Sequence, residues 1–380
     1  MTRKERLMST LAGKPVDRPP VCFYELNGFD ENPRDRDPFN IYNHPDWAPL
    51  IELTAEHSDR IVLRPAAIKF DSPEIPPELT SEVIEKNHRT ISSSSVLQAG
   101  GRTLTRRNRR DADVNTLWTL EHWLKSPEDA EAYLTLPLPE TMGEADTAAV
   151  LATEEALGDT GIVMLDTPDP LCRAAELFSM EDFTIIALTE PDLFRRLLDR
   201  FASILYPRVE VVAKALPGHL WRIYGPEYAT PPYLPPALFR DYVTAYDTAL
   251  VDIIHRYGGY ARLHSHGRIK DVLPFIAATG CDGLDPIEPV PQGDVELAWV
   301  RKEYGGQLVL FGNIESSEIS LLEPTDFRAR VRQALRDGTT GQGRGFVLMP
   351  SAIPYSRELP PLAVENYTIM IEEATGMTGS

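Results

Sequence analysis

Two histidines separated by one residue are the most informative feature of the sequence. His264 and His266 follow the apolar run 260–263 and precede Gly267. In a β-strand, residues i and i+2 point to the same side, so a strand ending here would project both imidazoles in one direction. Two convergent imidazoles suit a divalent metal ion or acid–base chemistry near neutral pH. A pair of hydrogen-bonded histidines at a strand end, with no chemical role, is the alternative that the motif alone leaves open.

Strand-like and helix-like segments alternate along most of the chain, and this alternation implies a parallel sheet. Eight such units predict a closed (β/α)8 TIM barrel, a fold of about 250 residues plus insertions. An open, doubly wound sheet is the alternative, but no Gly-x-Gly-x-x-Gly motif follows an early strand. The eight predicted strands are 21–25, 60–66, 161–166, 219–224, 260–264, 283–287, 307–312 and 345–350.

Two segments lie outside this alternation. Residues 2–12 have helical periodicity and are followed by Gly13, so they predict an N-terminal helical extension. Residues 81–120 are rich in Ser, Thr and Arg, contain the turn Gly100-Gly101, and predict an inserted β-hairpin region. The five arginines of 102–110 are more typical of a solvated hairpin than of a binding patch. We expect a single domain spanning residues 1–380.

Polar side chains occur where the predicted strands end. In (β/α)8 barrels the chemistry sits at the carboxyl ends of the strands, so many such residues at one rim predict a shared site. Singly, each has a structural alternative: Asp166 could belong to a turn and helix N-cap, and Asn313 could be a turn residue. We assign catalytic roles to Asp166, Tyr224, Glu227, His264 and His266, and substrate binding to Glu25, Asn27, Asp285, Glu288, Asn313 and Ser351.

Composition excludes several classes of function. The formal net charge of −19 argues against binding to nucleic acid or to anionic lipid. The chain has no run of about 18 apolar residues that could cross a membrane, and its first residues lack the apolar core of a signal peptide. Three widely spaced cysteines form no disulfide framework. We therefore expect a cytoplasmic protein that acts on a small molecule, with a homodimer as one possible assembly.

The sequence resembles the uroporphyrinogen decarboxylase superfamily, whose members are (β/α)8 barrels. The resemblance covers both ends and the second half of the chain, and it fails over about 70–150. The segments that carry it are 3–21, Gly225-Pro226-Glu227-Tyr228, His264-Ser265-His266-Gly267, Leu284-Asp285-Pro286 with Glu288, Leu310-Phe311-Gly312-Asn313-Ile314, and residues 345–366.

Within this superfamily the sequence is more similar to the corrinoid-dependent methyltransferases than to the true decarboxylases. The decarboxylases grip their acidic substrate with an Arg-rich N-terminal motif, whereas residues 22–29 contain Glu25 and no arginine. The resemblance implies transfer of a methyl group between a small methoxylated or methylated substrate, or a folate-type carrier, and a corrinoid. The corrinoid would belong to a partner protein, because the chain has no Asp-x-His-x-x-Gly motif.

The resemblance also raises the question of zinc. The thiol-specific methyltransferases hold zinc with His-x-Cys and a later Cys. This chain has His266 in place of the first cysteine and Ser351 in place of the second. If a metal ion binds, we expect His264 and His266 with one carboxylate, Glu227 or Glu25, because a neutral hydroxyl is a poor zinc ligand. A metal-free site in which the histidines act as acid and base is the alternative.

Three further functions stay open at this point. A decarboxylase of a small carboxylic acid is the nearest, and a non-catalytic ligand-binding homologue that has lost the cysteine ligands is the second. A metal-dependent hydrolase is disfavoured, because amidohydrolases carry His-x-His on the first strand with later histidines. Here the motif falls on about the fifth strand, and no histidine follows His266.

Overall fold

The structure of the protein is a computed structural model that describes residues 1–70 and 79–376, and within these ranges the chain forms thirteen strands and fourteen α-helices. The strands are β1 (Arg60–Leu63), β2 (Ala67–Lys69), β3 (Leu79–Lys86), β4 (Thr90–Ala99), β5 (Arg102–Asp111), β6 (Leu117–Glu121), β7 (Glu144–Asp146), β8 (Gly161–Pro168), β9 (Leu220–Tyr224), β10 (Tyr260–His264), β11 (Gly283–Asp285), β12 (Val309–Ile314) and β13 (Gly345–Pro350). The α-helices are α1 (Arg3–Leu11), α2 (Trp47–His57), α3 (Pro127–Leu134), α4 (Ala148–Leu157), α5 (Pro170–Ala175), α6 (Met180–Thr189), α7 (Pro191–Ala215), α8 (Pro236–Phe239), α9 (Ala245–Arg256), α10 (Leu273–Ala278), α11 (Leu297–Tyr304), α12 (Ser316–Leu321), α13 (Pro324–Thr339) and α14 (Pro361–Thr375).

Seven of these strands form one parallel sheet, in the order β1-β8-β9-β10-β11-β12-β13. Helices connect most successive strands, as parallel pairing requires. The sequence prediction is thus confirmed at the level of a TIM-barrel-like α/β fold with a parallel sheet.

The strand expected at 21–25 is the exception. It is reduced to a parallel bridge between Val21 and Leu348 of β13, where Cys22 donates its N–H to the Leu348 carbonyl at 3.0 Å. On the other side, the N–H of Asp59 reaches the Val21 carbonyl at 2.7 Å. Tyr24 then turns the chain in the left-handed region, with φ at 58°. This conformation breaks the extended backbone, so the segment lies between β13 and β1 without forming a full strand.

Alternation along the strands sorts the buried side chains into two sets. Side chains that face outward, such as Val163 and Leu263, pack in the large cluster beneath the surrounding helices. Side chains that face inward, such as Ile162 and Phe311, form a smaller interior cluster, which Leu11 of α1 joins. The residues that follow in the same inward register toward the carboxyl ends of the strands are polar.

Asp59, directly before β1, ties the N-terminal segment to the sheet. Its fully buried carboxylate accepts hydrogen bonds from Arg6 Nη1 at 2.7 Å, from Arg18 Nη1 at 2.7 Å and from the Val21 N–H at 2.9 Å. Arg6 lies on α1, which Thr2 begins with a capping box. The predicted helix over 2–12 corresponds to α1.

Between β1 and β8 the chain makes an antiparallel excursion. Strands β3, β4, β5 and β6 form a four-stranded sheet in that order, and β2 pairs with β7. The predicted β-rich region 81–120 corresponds to this four-stranded sheet, which spans 79–121. Two arginines of β5 pack on rings of the body, Arg106 over Trp123 at 5.1 Å and Arg110 over Phe39 at 5.5 Å. Across the described ranges, no helix has the length and apolarity to cross a membrane.

Candidate active site

The polar side chains at the carboxyl ends of β8 to β11 converge inside the barrel-like sheet. His264 ends β10, and its register partners are Tyr224 on β9 and Asp285 on β11. Because neighbouring parallel strands place register partners side by side, three polar residues stand next to one another at this edge. The rim predicted from the sequence is therefore present at these positions.

His264 belongs to a buried chain of charged groups. Its Nδ1 lies 2.8 Å from Asp285 Oδ2, and Asp285 Oδ1 lies 2.9 Å from Arg262 Nε. Burial opposes the Asp285 charge, but Arg262 and His264 outweigh it and lower the pKa of Asp285 to about 2. The anionic carboxylate accepts the Nδ1 proton, and His264 Nε2 lies 3.4 Å from the Tyr24 hydroxyl.

His266 forms a second, more exposed pair. Its Nδ1 lies 2.8 Å from Glu288 Oε1, and Glu288 Oε2 accepts the Gly267 N–H at 2.6 Å. Burial disfavours the imidazolium, yet the hydrogen bond and charge of Glu288 outweigh it and raise the pKa of His266. Burial likewise works against the Glu288 charge, but His266 lowers the pKa of that carboxyl. The pair therefore favours a protonated His266.

The two imidazoles differ in access. Their ring centroids are 4.6 Å apart and the planes are nearly perpendicular, at 87°. The side chain of His266 is 35% exposed, whereas that of His264 is 8% exposed. An incoming molecule would meet His266 first, with the Nε2 edge free of the carboxylate, and His264 behind it.

Arg222 lies two residues before Tyr224 on β9, on the same inward face. Carboxylates of the protein neutralise its charge. It makes a bidentate pair with Asp166, at 2.9 and 3.1 Å, and donates from Nη1 to Glu25 Oε1 at 2.6 Å and to the Tyr24 hydroxyl at 3.0 Å. Burial lowers the pKa of this guanidinium, but Asp166, Tyr24 and Glu25 more than compensate and raise it. Asp166 and Glu25, predicted to act on substrate, are thus engaged by an internal cation.

Sequence reasoning missed Arg222, Arg262 and Tyr24. The signal was available for the arginines, since each lies two residues before a predicted site residue, Tyr224 or His264, and residues i and i+2 of a strand share a face. Tyr24 carried no such signal, because its position depends on a left-handed turn.

The remaining predicted residues are placed differently. Ser351 donates to Glu315 Oε2 at 3.2 Å and accepts the Ser316 N–H at 3.0 Å, and Glu315 was not predicted. Asn313, two residues before Glu315, is buried. Its side-chain oxygen has no hydrogen-bond partner among the described residues. This unpaired acceptor is the kind of group that a ligand donor could satisfy.

Three further residues have local roles. Glu227 lies on the 3₁₀ turn Pro226–Ala229 and accepts the Gly225 N–H at 3.1 Å. The ring of Tyr224 lies under the Arg222 guanidinium at 5.5 Å. Asn27 is buried, and its amide bonds within its own loop, to Asp30 and to backbone groups. Asn27 therefore shapes the loop that carries Glu25.

The two histidines predicted to bind zinc lie side by side, but no predicted carboxylate joins them in a metal-binding group. Among the described residues, no three or more His, Cys, Asp or Glu side chains are grouped so as to hold a metal ion. The Glu227 carboxylate accepts a hydrogen bond from the Gly225 N–H. The carboxylate that contacts His266 is that of Glu288, which we did not predict as a metal ligand. The donor set present therefore does not fit a zinc centre.

Comparison with known proteins identifies the family. Residues 124–374 match the uroporphyrinogen decarboxylase (URO-D) family, and the chain belongs to this family. The resemblance predicted from the sequence, to this superfamily and near its methyltransferase branch, is confirmed.

Two relatives are informative. The chain is 24% identical over 358 residues to the methylcobamide:CoM methyltransferase MtaA of Methanosarcina barkeri, covering 92% of this chain and 93% of the relative. A solved methyltransferase from Methanosarcina mazei shares 18% identity, with a TM-score of 0.62 over 98% of this chain and 99% of that one. This structural likeness extends over nearly the whole fold. The sequence match to the first relative also runs into 70–150, where we expected the resemblance to fail, because it covers 92% of the chain.

Proposed function

We propose that the chain is a methyltransferase that moves a methyl group between a small methylated or methoxylated substrate and a corrinoid held by a partner protein. The observation that carries this proposal is the similarity to the methylcobamide:CoM methyltransferase along 92% of the chain. The paired histidines at the strand ends supply a proton donor at the place where barrel enzymes do their chemistry.

The chemistry of this chain is proton transfer and positioning. A corrinoid, when present on its partner, would supply the nucleophile that takes the methyl group. When the carbon–heteroatom bond of the substrate breaks, its electron pair stays on the oxygen or nitrogen. The Nε2–H of protonated His266 donates its proton to that atom, while Glu288 holds the ring by Nδ1 and balances its charge. His264 Nε2, which lies behind His266, is placed to hydrogen-bond and orient the substrate.

The charges at the rim favour this reading over decarboxylation of a polyacid. A substrate with many carboxylates needs cations that are free to bind it. Arg222 is engaged by Asp166 and Glu25, and Arg262 by Asp285. A carboxylated substrate would have to displace these internal partners, whereas a neutral methylated substrate would not.

A methyl-transfer assay tests the proposal. Purified protein is mixed with cob(I)alamin and a panel of methoxylated, N-methylated and S-methylated compounds, and methylcobalamin formation is followed by absorbance. We expect one class of donor to be turned over, and His266→Gln to lower kcat by about 100-fold or more, the usual range for a lost general acid.

The matched control is His255→Gln. His255 also pairs with a carboxylate, Asp282 at 2.7 Å, but it lies on α9 near the start of β11, away from the strand ends. Its loss should leave kcat unchanged. Equal turnover in wild type and His266→Gln, or release of CO2 from a small acid with no methyl transfer, would overturn the proposal.

A further inference from the structure

A second cavity lies apart from the histidines, between the four-stranded inserted sheet, α3 and α7. It encloses about 680 Å³, and neither imidazole lines it. Leu97 of β4 and Ile204 of α7 contribute apolar walls, and the rings of Trp123, Tyr133 and Phe201 contribute aromatic ones. This volume is within the range of about 300–1,000 Å³ that is typical of small-molecule sites.

Arginines line the same cavity, although the protein is strongly acidic overall, with a net charge of −19. Three arginines, Arg173, Arg200 and Arg208, face one carboxylate residue, Glu140. Arg208 donates to the Glu140 backbone carbonyl at 2.9 Å. The walls therefore combine an apolar surface with an excess of positive charge.

Arg200 is the most telling of the three. Its two Nη atoms donate to the carbonyls of Leu136 and Pro137, at 2.9 and 2.8 Å, and its guanidinium lies 5.6 Å from the Tyr133 ring centroid. Its Nε is buried without a hydrogen-bond partner, and no carboxylate of the described residues lies within ion-pair distance of it. The donors of Arg200 that a ligand in the cavity can use are the remaining N–H of each Nη atom, on a cation without a carboxylate partner.

Arg173 supports the same conclusion. It lies on α5 with its guanidinium 5.9 Å from the Phe201 ring centroid, and its nearest carboxylate, on Glu176, is 3.7 Å away. That separation is too long for a hydrogen bond. Guanidinium groups bind carboxylates through a planar pair of donors, and both Arg173 and Arg200 have donors to offer.

The cavity reaches the carboxyl end of β8, at the same edge of the parallel sheet as the histidines. Pro168, at the end of β8, lines it, and Pro168 is the register partner of Tyr224, which in turn is the register partner of His264. Two strand spacings, about 10 Å along the sheet, thus separate Pro168 from His264.

We propose that this cavity binds an apolar carboxylate, with a ring or chain among Trp123, Tyr133 and Phe201 and the carboxylate on Arg200 and Arg173. The site goes beyond the proposed methyl transfer and does not depend on it. Its occupant is defined by two requirements together, an apolar body and one negative charge.

Isothermal titration calorimetry of the full chain with 1-naphthylacetate tests the proposal, with 1-naphthylacetamide as the neutral counterpart of the same shape. We expect the carboxylate to bind at least about 10-fold more tightly than the amide, the effect of one charged hydrogen bond. Arg200→Gln and Arg173→Gln should each weaken the carboxylate by about 10-fold and leave the amide unaffected.

Arg195→Gln is the matched control, since it removes the same charge from the same helix at an exposed position paired with Asp192. It should bind 1-naphthylacetate like wild type. Arg173→Gln decides the matter if Arg200→Gln fails to fold, because the Arg173 side chain is half exposed. Equal binding of acid and amide, no binding of the acid to wild type, or equal weakening by Arg195→Gln would overturn the proposal. His266→Gln should bind the probe normally, which separates this site from the methyl-transfer site.

Discussion

Substitution of Asp285 by asparagine removes the charge on which the interior of the barrel-like sheet depends. The fully buried carboxylate lies 2.8 Å from His264 Nδ1 and 2.9 Å from Arg262 Nε. Asp285→Asn keeps the size of the side chain and loses its charge. The Arg262 guanidinium, on a side chain that is 3% exposed, would then lie in the interior without a carboxylate partner.

Two arguments give the size of the effect. Removing one partner of a buried ion pair destabilises a protein by about 3–5 kcal/mol, because the other charge is left uncompensated. Independently, the pKa of Asp285 falls from 3.8 to about 2. At 1.36 kcal/mol per pKa unit, this corresponds to roughly 2 kcal/mol of stabilisation by the ionised form. We expect Asp285→Asn to lower the free energy of unfolding at pH 7 by about 2–5 kcal/mol.

The pH dependence provides a second, sharper signature. Because the pKa of Asp285 is depressed in the folded state, its contribution is complete above the unfolded pKa of 3.8 and is lost as the pH falls through about 2. The stability difference between wild type and Asp285→Asn should therefore be constant from about pH 7 to pH 5 and shrink below about pH 4.

Urea unfolding at pH 7, 5 and 3, followed by tryptophan fluorescence, measures both effects. Glu288→Gln is the comparison variant, because it breaks a similar pair whose imidazole is 35% exposed. Solvent screening limits the cost there to about 1 kcal/mol or less. If Asp285→Asn unfolds at the same urea concentration as wild type, or if the difference between them ignores pH, the buried ion chain is not the stabilising element that we describe.

Three further predictions concern the same rim. If His266 acts as the acid, kcat of the wild type should fall as the pH rises through the raised pKa of His266. In Glu288→Gln this fall in kcat should occur at lower pH, because the carboxylate that raises the pKa is gone. A pH–rate profile that is the same in both proteins would contradict the assignment. Ser351 is hydrogen-bonded to Glu315, and the histidines are paired with other carboxylates, so purified wild type should contain less than one equivalent of zinc. Inductively coupled plasma mass spectrometry measures this content, and one equivalent of zinc would refute our interpretation of the donor set. Arg222→Gln should cost about 2 kcal/mol in urea unfolding, because Asp166 and Glu25 lose their cation and solvent screens the more exposed Glu25. An unchanged midpoint would argue against that network.

Most strands of the fold could be predicted from the sequence, because strands of a buried parallel sheet consist of nearly continuous apolar residues. The strand expected at 161–166 is β8 (Gly161–Pro168), and the one at 345–350 is β13 (Gly345–Pro350). The segment 21–25 has the same apolar character and yet forms a single bridge. The extended backbone ends there at Tyr24, whose left-handed φ of 58° is uncommon for a tyrosine and is not indicated by its residue type.

The candidate site was predictable as a rim and not as a set of pairs. Spacing alone placed His264 and His266 on one side of a strand end. The identity of their partners depends on the register between β10 and β11, which sets His264 against Asp285, and on the course of the loop that brings Glu288 to His266. Glu227 shows the limit of this reasoning, because its carboxylate accepts a hydrogen bond from the backbone two residues earlier.

Asp59 makes the amino terminus indispensable in a way that a count of strands would not suggest. A chain shortened to begin after Arg18 would keep all seven strands of the parallel sheet and lose both cations that face this carboxylate. The Val21 N–H would remain as a donor to a fully buried charge. Such a charge costs about 3–5 kcal/mol, a large share of the 5–15 kcal/mol that keeps a protein folded. The first eighteen residues thus supply the cations that balance a buried charge, and their proteolytic removal should destabilise the sheet at the end opposite to its histidines.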